Sequence, residues 1–466
     1  MNKTKIKINA LKSKYFLTGS HFVRFVKAAF WSFAGAIISR GLNLISSIIV
    51  ARLLGKVGYG ELGIIQSTVG MFGVFAGLGL GMTATKYVAE FREKDPQKAG
   101  RIIALVFIMA FISGGIVSII LVILSPWLAS RTLSAPHLSG LLQLSAGLLF
   151  FGAINGAQTG ALAGFEAFKM IATVNFLSGI ISFPLMVAGV WFFQLKGAVL
   201  ALVGSMVVNY FLNRIAIKKE CERYSIRPDF QNSIQEISVL WKFSIPAFLS
   251  SAMVGPVTWL CNVMLVNQIN GYSEMGIFNA ANLWRNLLLF LQGIFLNVSL
   301  PIMVSLNENG KSRDFEKFAG LIQNISIITV LPLVSLMILF SKLLMGLYGE
   351  SFIQGSPVLK WLLSSVAIGS AGAATGSIIQ AKGKMWLGLA FNLSWGLILI
   401  ICVRLFVEQW KATALSFAFF ISYLFLSIWG LLYLKIKNDI SKATLKKAFL
   451  AMMIVIIITL ISFLFP

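Results

Sequence analysis

Apolar runs separated by short clusters of charged, Gly and Pro residues recur along the whole chain. Each run reaches the ~20 residues that a helix needs to cross a bilayer. Thirteen are found, at about 28–54, 60–85, 101–128, 138–163, 169–194, 197–217, 239–269, 275–306, 317–347, 355–381, 385–408, 411–434 and 448–466. The pattern predicts an all-α polytopic membrane protein. Composition agrees: 58% of the residues are hydrophobic and 12% charged, against about 25% charged in a soluble domain. The mean hydropathy is +0.86. A chain this apolar cannot cover a water-facing surface with polar groups.

The N-terminal basic stretch, Lys3 to Lys27, precedes an apolar run from Ala28 to about Leu54. No small-residue cleavage site ends an h-region of ~7–15 residues. A retained first helix is therefore expected rather than a signal peptide.

The net charge of +23 changes the picture once the loops are compared. Every second connection is rich in Lys and Arg. The N-terminus, the loop with Lys86, Arg92, Lys94 and Lys98, and the loop with Arg214, Lys218, Lys219, Arg223 and Arg227 lie on one side. So do the Lys311–Lys317, Lys382–Lys384 and Lys435–Lys447 segments. The other side holds Arg52, Lys56, Arg131, Lys196, Lys342, Lys360 and Lys411. The bias, roughly four to one, places the first side in the cytoplasm. The N-terminus is then cytoplasmic, and an odd span count puts the C-terminus outside. Membrane topology accounts for the basic charge, so no nucleic-acid partner is implied.

The longest connection, 218–238, divides the chain near its middle. Gly55 and Gly60 match Gly271 and Gly276, and Thr159-Gly160 matches Thr375-Gly376, all at one spacing of 216 residues. Six helices per repeat keep both halves in one orientation, with a pseudo-twofold along the membrane normal. The expected units are a cytoplasmic segment 1–27, a first lobe 28–217, a linker 218–238, a second lobe 239–434, and a basic loop with a thirteenth helix over 435–466.

Three arginines fall within spans. Each costs ~2.5–3.5 kcal/mol at a helix centre on insertion scales, which makes it a functional candidate. Arg404 lies four residues before Glu408 near a helix end, where an i,i+4 pair is the simpler reading. Arg40 shares one helical face with Ser32, Ala36, Ser39, Asn43 and Ser47. Arg285 lies beside Asn279, Asn282, Asn286, Gln292 and Asn297 on a polar arc of about 140°. Any one amide has a bland alternative, an interhelical hydrogen bond of ~0.6 kcal/mol. Together the two stripes favour a wet cavity.

No Asp or Glu occupies the middle of a span. Unpaired arginines among amides suit an anionic ligand rich in hydroxyls, since a guanidinium holds phosphate oxygens in a two-pronged contact. A phosphorylated lipid carrying sugars fits better than a cationic drug. Cys221, Cys261 and Cys402 are scattered and odd in number, so neither a disulfide framework nor a metal site is expected. No phosphate-cradling Gly-Lys loop is found. Neither a cofactor nor an enzymatic activity is expected. Gly77, Gly79 and Gly81 in the second helix, with Pro184, Pro246, Pro256, Pro301 and Pro332, are compatible with bending helices.

Ala51 to Gly60 (ARLLGKVGYG) resembles a hallmark of the polysaccharide flippases, the polysaccharide-transporter branch of the multidrug/oligosaccharidyl-lipid/polysaccharide exporter superfamily. Gly79 to Glu90, Glu274 to Ala281, and Pro301 are similar to the matching ends of its second and eighth helices. The resemblance implies two six-helix lobes around a central cavity and alternating access. It implies flipping of an undecaprenyl-pyrophosphate-linked oligosaccharide across the cytoplasmic (inner) membrane for polysaccharide or O-antigen synthesis. Other polysaccharide-assembly membrane proteins are expected partners beside the bilayer and the anionic glycan lipid. Related lipid-linked precursor flippases use arginines on helices one and eight, the helices of Arg40 and Arg285. The expected substrate-binding set is Arg40, Asn43, Asn262, Asn282, Arg285 and Asn286. Many relatives carry Asp where this chain has Asn262, so ion coupling there is not expected. The alternatives are a small-molecule or drug exporter of the same superfamily and a membrane glycosyltransferase or polymerase.

Overall fold

The computed structural model describes residues 19–464 apart from 246–247, 249–251 and 309–311, with the side chains of 19–38 and some single positions left out. Expectations on residues 1–18, Pro246 and Lys311, and on the side chains of Arg24, Lys27, Ser32, Ala36, Asn297 and Pro301, fall outside that description.

Long helices follow from the apolar runs, and single residues set where they turn. The run Gly19–Gly77 is broken at Gly55, whose φ is 67°. This gives α1 (19–54) and α2, which begins at 56 and bends by 41° between Gly77 and Leu80 before ending at Phe91. The bend falls within the expected Gly77–Gly81 cluster. Helix α3 is Pro96–Trp127; its first turn is capped by Asp95, whose side chain accepts from the Lys98 N–H at 3.0 Å. Such a cap contributes ~1 kcal/mol. Helix α4 is Ser139–Gly164. The run Phe168–Arg223 breaks at Gln194 (φ 49°) into α5 and α6.

After the linker, a π-turn at Leu240–Ser244 leads to α7 (Val254–Val266), then α8 (Gly271–Glu308) and α9 (Ser312–Leu339). Helix α10 comprises Ser356–Ala371 and Ala373–Ala381, with a break of 46° at Gly372. Helices α11 (Met385–Trp410), α12 (Ala412–Ile436) and α13 (Lys442–Leu464) complete the chain. By length and hydropathy alone, seven helices among the described residues can cross a membrane, or nine when each bent pair is one span. The breaks at Gly55 and Gln194 divide two merged runs and bring the number to eleven, and α7, a shorter apolar helix, and α8, outside that count, complete the expected thirteen.

The α1–α6 and α7–α12 sets form two six-helix lobes, with α13 packed on α9 and α10. Their likeness is clearest at the turns. Positive φ occurs at Ser134 and Gly349, at Glu166 and Gly383, at Gln194 and Lys411, and at Ser225 and Asn438. Each pair occupies equivalent hairpins of the two halves, close to the repeat spacing, though the residue types differ. The chain repeats a backbone path more faithfully than a sequence.

The lobes are joined most tightly at the end of the bundle where the loops are poor in Lys and Arg. A continuous core runs there from Val50, Ile64 and Ile65 to Cys261, Met275 and Phe278. Polar contacts reinforce it. Arg52 Nε donates to Leu347 O at 2.7 Å, Asn267 Nδ2 to Thr132 O at 2.8 Å, and the Tyr272 hydroxyl to Leu133 O at 2.7 Å. Helix α7 lies along α2, with Trp259 donating to Thr68 and Asn262 to Ser67 at 2.8 Å. Arg404 meets Glu408 at 3.0 Å on an exposed face, as the i,i+4 spacing predicts.

Candidate functional site

A cavity of about 760 Å³ lies within the second lobe, walled by α8, α10, α11 and α12. It extends from Ser365, midway along α10, to Gln380 and Gly388 at the basic end, and Met82 of α2 and Phe243 of the π-turn also line it. The break in α10 shapes its wall. Ser427 on α12 donates to Ile368 O at 3.0 Å, and a Cβ at Gly372 would meet Ser427 Oγ at 2.9 Å. Past the break, Gln323 Oε1 on α9 accepts from the Ala374 N–H at 3.1 Å, replacing a lost helical bond. Backbone broken at membrane depth is tolerated where protein buries it or a cavity borders it.

Arg285 enters this cavity from α8 and is 7% exposed. Its Nη1 donates to Asn282 Oδ1 at 3.2 Å, one turn back on the same helix, and its Nη2 to the Tyr423 hydroxyl at 3.3 Å. The guanidinium sits 4.5 Å from the Phe419 ring centroid and 5.7 Å from that of Tyr423. Two aromatic faces thus hold the plane of the charge, each worth ~0.5–2 kcal/mol. Its Nε is buried without a hydrogen-bond partner among the described atoms, as is Thr375 Oγ1 on the opposing wall. No carboxylate lines the cavity among the described residues. The wall therefore offers a fixed cation, donors in a plane and further hydroxyls and amides: chemistry for an anion bearing polar groups.

The remaining sequence candidates separate onto other surfaces. Arg40 is exposed on α1, its guanidinium 4.0 Å from the ring centroid of Phe290 on α8. Asn282, Asn286 and Phe290 follow at four-residue spacing and so share one stripe of α8, with Asn286 exposed. Arg40 thus meets α8 on its interlobe side, whereas Arg285 turns into the second lobe. Asn43 is exposed one turn from Arg40. Asn262 is 9% exposed and engaged with Ser67. Of the six, Arg285 and Asn282 come together, Arg40 and Asn286 lie along the α1–α8 face, Asn43 is exposed beside Arg40, and Asn262 belongs to the α2–α7 contact.

Sequence reasoning missed Tyr423, Phe419, Phe290 and Gln323. The aromatic residues sit in ordinary apolar runs and carry no local signal. The α10 break did carry one, in the small-residue string Gly369 to Gly376.

Two helical lobes around interior polar surface define a membrane protein of the transporter type, and the sequence places it among known ones. Residues 25–307 match the polysaccharide biosynthesis protein family, and the chain belongs to that family. The EPS I polysaccharide export inner membrane protein EpsE of Ralstonia solanacearum is 22% identical over 285 residues, 60% of this chain and 64% of the relative. The match thus spans somewhat less than two thirds of that relative's length. The lipid III flippase of Escherichia coli (strain K12) is 22% identical over 62% of this chain and 69% of its own. Among solved structures, an inward-facing multidrug resistance MATE family transporter of the MOP superfamily superimposes with a TM-score of 0.68 at 16% identity. It covers 90% of this chain and 99% of its own. A MOP superfamily transporter from Pyrococcus furiosus, described as having reversed binding-pocket polarity, gives 0.68 at 17% identity, over 90% and 96% of the two chains. These likenesses establish the fold.

Proposed function

We propose that this protein is a flippase for a polyprenyl-pyrophosphate-linked oligosaccharide, working by alternating access. The observation that carries the reading is Arg285: a caged, buried cation on a cavity wall with no carboxylate among the described residues. Membership of a polysaccharide biosynthesis family, and relatives named for polysaccharide export and for flipping lipid III, support the same substrate class.

The basic end of the bundle faces the cytoplasm, by the bias of Lys and Arg between alternate loops. Substrate enters there. Arg285 binds a phosphate through its remaining N–H edge, while Arg40, on the interlobe face, supplies a second cation for the pyrophosphate. Asn43, Asn282 and Asn286 meet sugar hydroxyls, and Asn262 joins them only when the α2–α7 contact loosens. The polyprenyl chain stays in lipid. The tight seam at the opposite end then opens as the cytoplasmic side closes, releasing the glycan in the outer leaflet.

The test is accumulation of substrate. Cells lacking the protein should retain the lipid-linked oligosaccharide on the cytoplasmic face, and the wild-type gene, but not Arg285→Ala, should restore its display. Normal display without the protein would overturn the flippase reading. The apolar residues around Arg285, Leu289 and Leu296 among them, also suit a small amphiphile. Export of such a compound by cells that make no lipid-linked glycan would favour that second reading.

A further inference from the structure

A second cavity, of about 660 Å³, lies on the first lobe and is separate from the one holding Arg285. It is bounded by α3, α4, α6 and the linker after α6. Its polarity is graded. Phe107 and Phe111 on α3 lie 11 and 15 residues beyond Pro96, about 16 and 22 Å into the span at 1.5 Å per residue. Arg214 and Lys218 on α6, and Arg227 on the linker, border it toward the basic end. Glu222 is the single acidic residue in the lining among the described residues, and Lys218 Nζ stands 4.0 Å from it. The rim keeps a positive balance.

The linker wall is a built feature. Its backbone lies against α3 so closely that a Cβ on Gly100 would come within 2.2 Å of Arg227 O. Arg101 clasps it further, with Nε and Nη2 at 3.1 and 2.9 Å from Glu236 Oε1. This docking holds Arg227 and Phe230 in place. Gln158, on α4, also lines the cavity; it is 3% exposed, and its Oε1 has no hydrogen-bond partner among the described atoms. An orphaned buried acceptor costs ~1–3 kcal/mol and matches a ligand hydroxyl. The linker and the π-turn after it display apolar side chains: Phe230 is 56%, Ile234 72% and Trp241 70% exposed. Such residues are poorly placed in water and well placed at a bilayer interface.

We propose that this cavity binds a glycerophospholipid with an anionic, hydroxyl-bearing headgroup. Arg214, Lys218 and Arg227 hold the phosphate, Gln158 Oε1 accepts from a headgroup hydroxyl, and an acyl chain lies along Phe107 and Phe111. Charge and apolar surface are arranged as in a lipid at a leaflet boundary. The bound lipid pins the linker, and with it the first lobe, to one leaflet. The site does not depend on the flippase reading.

The experiment is a titration of the purified full-length protein in neutral detergent, followed by native mass spectrometry. The probes are dioleoyl phosphatidylglycerol and dioleoyl phosphatidylcholine, with glycerol 3-phosphate as a headgroup competitor. Wild-type protein is expected to retain phosphatidylglycerol preferentially. The triple variant Arg214→Gln, Lys218→Gln, Arg227→Gln should weaken it on the order of a hundredfold, at roughly one kcal/mol per basic residue near a charged surface. All three are exposed, so the fold should survive. Gln158→Leu should weaken phosphatidylglycerol binding several-fold without moving phosphatidylcholine, and Arg131→Gln, at the other end, should change nothing. Equal retention of both lipids, or unchanged binding by the triple variant, would overturn the proposal. Displacement by glycerol 3-phosphate at concentrations similar to the lipid's would show a free-anion site and would also overturn it.

Discussion

Gly60 on α2 and Gly276 on α8 pack reciprocally across the lobe interface. A Cβ on Gly60 would stand 1.8 Å from Tyr272 O, and one on Gly276 would stand 2.1 Å from Lys56 O. The contact obeys the internal symmetry, because Lys56 and Tyr272 are themselves repeat equivalents. Each helix lies against the other's backbone at the end where the apolar core and the Arg52, Asn267 and Tyr272 hydrogen bonds also join the lobes. Only glycine at both positions permits that approach.

Gly60→Ala or Gly276→Ala should therefore open this seam. The expected result is faster labelling of a cysteine placed at Leu133 by an impermeant thiol reagent, in a background without Cys221, Cys261 and Cys402. Leu133 is buried in the seam, where its carbonyl accepts from the Tyr272 hydroxyl at 2.7 Å. The two glycine substitutions act on one contact, so their effects should fall short of additivity. Unchanged labelling in both variants would show that the seam absorbs the added methyl.

Arg285→Ala should abolish glycan display while leaving expression unchanged, because the residue faces a cavity. Arg285→Lys should retain part, keeping the charge but losing the planar fork. Tyr423→Phe preserves the ring and removes one hydrogen bond to Arg285. A loss of about fivefold in transport is expected, as for a bond worth ~1 kcal/mol. Equal transport by Arg285→Ala and wild type would remove Arg285 from the site.

Phe290 holds Arg40 by its ring face. Phe290→Leu should reduce transport by roughly two- to thirtyfold, from a cation–π contact of ~0.5–2 kcal/mol, and Phe290→Trp should restore it. Combined with Arg40→Ala, the Leu substitution should add little. Fully additive losses would mean that the two residues act independently.

Helix α13 is fastened from α10. Lys360 is 6% exposed and donates to Ser462 O at 2.5 Å, and Ser364 pairs with Thr459 at 2.6 Å. Lys360→Ala should lower the thermal unfolding temperature in detergent, since the lost bond and packing cost ~1–3 kcal/mol. Lys360→Met, which keeps the aliphatic bulk, should cost less. An unchanged unfolding temperature in Lys360→Ala would indicate that α13 docks by its apolar face alone.

The helical membrane character, the approximate spans and the duplication were legible in the sequence, because lipid imposes a one-dimensional requirement. A spanning segment must be apolar for ~20 residues and must satisfy its backbone bonds internally. Arg40 and Arg285 stood out for the same reason, as charges inside apolar runs. Tertiary structure decided what those charges face. Arg285 and Asn286 are adjacent in sequence, yet one is 7% exposed against Phe419 and Tyr423, and the other lies on the exposed stripe leading to Phe290. A helix turns 100° per residue, so neighbours belong to different surfaces, and only packing determines which surface becomes a cavity wall. The hairpin turns show the same division. Gln194 and Lys411 adopt one backbone conformation with unlike side chains, since the geometry of two packed helices, rather than residue type, enforces it.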